Sequence, residues 1–107
     1  METYTINGKT IEFDTFDVTS FAAVSRESER VSQRISSLAE DIKGDPVGYM
    51  TEVCSAVRSF FETVVGPGTA DVLFGTSNNF RDMMEAYASF AEQVSKHVKG
   101  FAAGVKK

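Results

Sequence analysis

The chain has 107 residues, 42% of them apolar, and a formal net charge of −4, which bounds it to one domain with room for a core but little for an elaborate catalytic cleft as well. An acidic balance without clustered lysine and arginine leaves no footprint for a phosphate backbone, so no nucleic-acid partner is expected. Charge-free stretches such as Thr63 to Ala70 are far short of the roughly 20 apolar residues that span a bilayer, no signal peptide opens the chain, and a single cysteine fits a reducing compartment, so a cytoplasmic protein with no membrane partner is expected.

The first element in chain order is a β-hairpin, Tyr4-Thr5-Ile6-Asn7-Gly8-Lys9-Thr10-Ile11-Glu12-Phe13. Asn-Gly between two alternating segments signals a type I′ turn, because both central residues must adopt positive φ. A two-residue loop sets Ile6 opposite Lys9 and Tyr4 opposite Ile11. Tyr4, Ile6, Ile11 and Phe13 then share one apolar face. An isolated two-stranded ribbon is marginal in water, so this face needs a cover.

Breakers at Gly44-Asp45-Pro46, Gly66-Pro67-Gly68 and Gly75-Thr76-Ser77-Asn78-Asn79 divide the rest into helices. The fold expected is mainly α: a hairpin arm over 1–16, then a bundle of three main helices over 17–43, 45–65 and 78–103, with a short helical turn over 69–74 before the last. Asp17 or Thr19 caps the first helix, and Gly44 supplies its left-handed stop. Phe21, Val24, Val31, Ile35, Leu38 and Ile42, with Ser28 in the gap, form a narrow heptad seam. Arg26, Glu27, Glu29, Arg30 and Arg34 read as a solvated charged flank. Asp45-Pro46 opens the second helix as a cap followed by proline in the first turn. Its broad apolar arc from Val47 to Val65 marks it as the most buried. The last helix carries Phe80, Met83, Met84, Tyr87, Phe90, Ala91, Val94, Val98 and Phe101 at helical spacing, with Ser77 or Asn78 as its cap.

No catalytic constellation emerges. Cys54 sits on an apolar helix face, where a small buried hydrophobe is the ordinary outcome. His97 is the only histidine; it reads as a solvated last-turn residue, and one histidine and one cysteine are too few for a zinc site. The carboxylates lack calcium-loop spacing. Gly66-Pro67-Gly68 lacks the lysine and hydroxyl of a phosphate loop. The expectation is therefore no enzyme, no metal and no cofactor.

The opening pattern Tyr4-x-Ile6-Asn7-Gly8-Lys9-x-Ile11-Glu12-Phe13-Asp14-x-Phe16-Asp17 resembles the start of small proteins encoded in the tail modules of phages and prophages of Gram-positive bacteria. Val72-Leu73-Phe74-Gly75, a polar turn, and Tyr87-Ala88-Ser89-Phe90 are similar to the ending of the same group. These are the phage tail assembly chaperones, encoded just before the tape-measure protein. The resemblance implies a protein that coats the helical tape-measure protein, keeps it soluble, helps recruit tail-tube subunits and leaves before the virion is finished.

The resemblance supplies no motif of binding residues. Candidate partner contacts come from the seam, Phe21, Val24, Val31, Ile35 and Leu38, which otherwise pack on the chain's own second and last helices. Tyr4, Ile6, Ile11 and Phe13 are candidates for self-association into a homo-oligomer, by edge pairing or by laying the apolar face on a neighbour. The competing expectation is a hairpin that caps its own bundle, anchored by Phe13 and Phe16. A non-enzymatic helical adaptor or another phage structural protein forming a homo-oligomer is the alternative function.

Overall fold

The computed structural model describes residues 1–105. A two-stranded antiparallel hairpin, β1 (Glu2–Ile6) and β2 (Lys9–Phe13), precedes five helices: α1 (Val18–Leu38), α2 (Asp41–Gly44), α3 (Pro46–Val64), α4 (Thr69–Phe74) and α5 (Phe80–Val105). The register pairs Ile6 with Lys9 and Tyr4 with Ile11. Asn7 and Gly8 have φ of 50° and 79°, the two positive values a type I′ turn demands.

Local capping chemistry starts most helices. The Asp17 carboxylate accepts from the Ser20 N–H at 2.9 Å and opens α1, and Asp45 accepts from Gly48 at 3.0 Å with Pro46 following it in α3. The cap of α5 is Asn79, one or two residues later than Ser77 or Asn78: its side-chain oxygen takes the Asp82 N–H at 2.9 Å. For α4, Gly68 at φ 89° leaves no side chain to cap with. Glu62 reaches over from α3 instead, accepting from the Gly68 and Ala70 N–H groups at 3.1 and 3.0 Å.

The first helix does not run to Lys43. The Ala39 N–H turns back to the Ser36 carbonyl at 3.3 Å, a three-residue step that tightens the last turn. Ser37 meanwhile gives its hydroxyl to the Arg34 carbonyl at 2.9 Å, competing with the backbone ladder. The helix therefore ends at Leu38, and residues 41–44 form the separate turn α2, which packs on α3. Gly44 is not a left-handed stop; the positive-φ glycines are Gly8, Gly66, Gly68 and Gly75.

The central helix is α3, which packs against α1, α2, α4 and α5. The hairpin lies along α5 and packs its apolar face inward, so Tyr4, Ile6, Ile11 and Phe13 join one core with Val24, Val31, Val57, Phe60, Phe61 and Phe90. Of the two arrangements open to the hairpin, the structure takes the intrachain one. The Tyr4 hydroxyl is hydrogen-bonded to that of Thr15, which is also fully buried, and burial pushes the Tyr4 phenol above its ordinary pKa. Tyr4→Phe is expected to lose about 1–2 kcal/mol, because it leaves the Thr15 hydroxyl without that partner inside the core. Urea denaturation reads this, and a midpoint equal to that of the parent contradicts it.

Three carboxylates are held below their ordinary pKa values by backbone N–H donors: Glu2 by Thr15, Asp17 by Ser20, and Glu62 by Ala70 and Gly68. A pKa depressed in the folded state means the unfolded chain binds the proton more readily. Each bond therefore contributes its full stability above the ordinary value, 4.5 for the glutamates and 3.8 for Asp17, and loses it as pH falls through the lower folded value. The melting temperature should decline below pH 4.5, and Glu62→Gln should flatten that decline. An identical acid slope in parent and variant contradicts the assignment.

Candidate partner-binding surface

The seam residues of α1 divide according to what the fold packs against them. Val24 and Val31 are buried in the chain's own core, and Ile35 and Leu38 are partly buried. None of these four offers the open stripe that partner binding along α1 requires. Phe21 alone keeps a third of its surface, 36%, exposed. Tyr4, Ile6, Ile11 and Phe13 are likewise closed off by the chain itself, so their apolar face is not a surface for self-association. Ile42 leaves the seam altogether, because the break after Leu38 carries it into α2.

The edges of the hairpin are unequal. In an antiparallel ladder the residues of non-hydrogen-bonded pairs turn their backbone groups outward; here these include Thr5 on β1 and Thr10 on β2. Gln93 of α5 closes the β1 edge as a side-chain substitute for a third strand, accepting from the Thr5 N–H at 3.2 Å and donating to the Thr5 carbonyl at 2.9 Å. Asn7 donates to the Asp82 carbonyl at 3.0 Å and ties the turn to the start of α5. The β2 edge, with Thr10 and Glu12 exposed, has no such clamp among the described residues.

Two grooves flank α1. The larger, about 540 Å³, lies between α1 and α3 and is lined by Glu27, Arg30, Val31, Arg34, Glu52, Ser55, Ala56 and Phe60 among others. Its charges are spent internally. Glu27, read from sequence as part of a solvated flank, is buried because it sits three residues after Val24 and four before Val31, and it takes Arg26 at 3.1 Å and Arg30 at 3.5 Å. Arg34 pairs with Glu52 across the groove.

The second groove, about 370 Å³, is formed by Thr15, Phe16, Val18, Phe21, Ala22, Val98 and Phe101. It brings the first turns of α1 beside the last turns of α5, over the turn that leaves the hairpin. Phe16 rests on Phe101 with ring centroids 5.0 Å apart, yet both remain exposed, as does Val18 at 81%. Beyond the far end of α1, Ile42, Val47 and Met50 form a second set of exposed apolar side chains. Sequence reading missed Val18 and Ala22 as surface residues and the partly buried Val98 as a groove wall, and used Phe16 only as an anchor. The available signal was Val18 itself, a large apolar residue one position outside the seam.

No catalytic arrangement is assembled among the described residues. None of their His, Cys, Asp and Glu side chains form a group of three or more able to hold a metal ion. Cys54 is buried, its thiol 3.7 Å from the Asn78 carbonyl, and burial pushes its pKa up, away from the thiolate. His97 is not a solvated last-turn residue: α5 continues to Val105, and the imidazole packs edge-on to Tyr4 at 5.1 Å. No helix among the described residues is long and apolar enough to cross a membrane.

No curated protein and no solved structure matches this chain. Residues 7–107 match the model of a family described as a family of unknown function, DUF6673, and the chain, matched over nearly its whole length, belongs to that family.

Proposed function

We propose that the protein is a phage tail assembly chaperone that binds the tape-measure protein in the host cytoplasm and keeps it soluble until tail-tube subunits replace it. It acts without catalysis and without a cofactor. The observation that carries this reading is the uncovered apolar groove of Phe16, Val18, Phe21 and Phe101 at the start of α1, with Ile42, Val47 and Met50 also exposed past its other end. Large exposed apolar patches mark sites that another polypeptide covers, and a tape-measure chain offers long amphipathic helices to cover them. The motif resemblance of the opening and closing segments supports the same partner. Self-association belongs to this reading too, and it falls to the β2 edge and the Ile42, Val47, Met50 set, because the inner face of the hairpin is occupied. A net acidic surface keeps such a coat soluble. Co-expression with the tape-measure protein encoded beside it tests the proposal: the soluble fraction of that protein should rise several-fold over expression alone, and an unchanged fraction overturns it.

A further inference from the structure

The shape of the apolar groove narrows what can occupy it. Phe60 and Phe61 of α3 meet Phe90 of α5 at 5.8 and 5.5 Å, and α3 ends about one turn later at Val64. Past Phe90, α5 runs on for about 22 Å at 1.5 Å per residue. The hairpin accompanies it as far as His97, where Tyr4 packs, and further out Phe16 lies on Phe101. The first turns of α1 and the last turns of α5 thus stand as a two-helix wall, with only the Thr15-Phe16 turn where the middle of the molecule has α3.

Chemistry and area narrow it again. Among the described residues Thr15 is the only polar one lining the groove, and its hydroxyl is already bonded to Tyr4 inside the core, so these walls offer a partner hydrocarbon. Three rings that each bury 150–250 Å² when covered, about half exposed here, together with Val18 offer roughly 400 Å². A stable dimer needs about 800 Å² from each partner. This patch is therefore too small to hold a second copy by itself and matches two or three side chains from one helix face.

We propose that this groove seats a single amphipathic α-helix of a partner protein, packed as the missing third helix, with large aliphatic side chains at i, i+4 and i+7 against Val18, Phe21 and Phe101. The identity of the partner rests on the chaperone reading; the preference for a helix does not. The probe is a labelled peptide of about 21 residues, three heptads of Leu, Ala, Glu and Lys with leucine at a and d, beside a scrambled peptide of the same composition. Fluorescence anisotropy with the full chain should show binding of the heptad peptide, none of the scrambled one, and at least a ~10-fold loss in Val18→Asp and in Phe101→Asp. Both side chains are mostly exposed, at 81% and 60%, so each variant keeps the core. Equal binding of both peptides, or binding unaffected by either variant, overturns the proposal. So does a dimeric parent protein that becomes monomeric in Phe101→Asp, which assigns the groove to a second copy. Variants that solubilise the tape-measure protein as well as the parent remove the groove and leave the chaperone reading. A parent that binds the heptad peptide yet does not solubilise that protein removes the reading and leaves the groove.

Discussion

Phe90→Ala is expected to destabilise the protein by about 3–5 kcal/mol, the range for truncating a fully buried aromatic ring. Phe90 is where the hairpin and the helices meet. Its ring lies 4.9 Å from Tyr4, 5.5 Å from Phe13, 5.8 Å from Phe60 and 5.5 Å from Phe61. Truncation takes a partner from both strands and from α3 at once. The cavity cannot close readily, since its walls belong to three elements with separate anchors. For a domain whose total stability is of the order of 5–15 kcal/mol, this approaches unfolding. Guanidinium denaturation followed by circular dichroism checks it, and a loss below about 1 kcal/mol shows that the ring cluster does not tie hairpin to bundle.

Arg58→Ala should cost about 2–3 kcal/mol, unusual for a side chain that still reaches solvent. From α3 the guanidinium donates to the Gly75 carbonyl at 2.9 Å, to the Ser77 carbonyl, and to the Asn78 side chain at 3.4 Å. It also lies 5.7 Å over the Phe74 ring. These contacts close the end of α4 and hold the turn that delivers Asn79, the cap of α5. Removing them frees two helix ends. Hydrogen exchange should accelerate at Gly75 and in the first turn of α5 while the middle of α3 stays protected. Arg58→Lys should restore less than half, because one ammonium cannot serve three acceptors in a fixed fork. Full rescue by lysine contradicts the account.

The parts of this fold that were legible in the sequence are those governed by near neighbours. Asn7-Gly8 set the register of the hairpin, and alternation named the face that Tyr4, Ile6, Ile11 and Phe13 bury. Asp17, Asp45 and Pro46 started α1 and α3 through contacts within three residues. The misreadings all depend on partners distant in the chain or on competition between neighbours. Nothing near Glu62 or Arg58 announces that they cap α4 and its exit, across 8 and 17 residues respectively. Spacing alone placed Glu27 on a solvated flank, although it shares a face with Val24 and Val31 and is buried there between its arginines. The stop at Leu38 came from a serine pair tightening the last turn, which a heptad count does not register. The groove was hidden for the same reason: Phe21 and Phe101 follow ordinary helical spacing, only Val18 stands outside it, and their exposure results from α3 ending before α5 does.

The central claim, that another polypeptide covers this groove, is tested most directly by a thiol footprint. Ala22→Cys places a reactive thiol in the groove without removing Val18, Phe21 or Phe101, Val72→Cys places one at an exposed site on α4, and the native Cys54 is buried and slow to react. Maleimide labelling is measured with the protein alone and in complex with the tape-measure protein. Labelling at position 22 is expected to slow at least ~10-fold in the complex while labelling at position 72 is unchanged. Equal rates at position 22 in the free and bound protein contradict the claim.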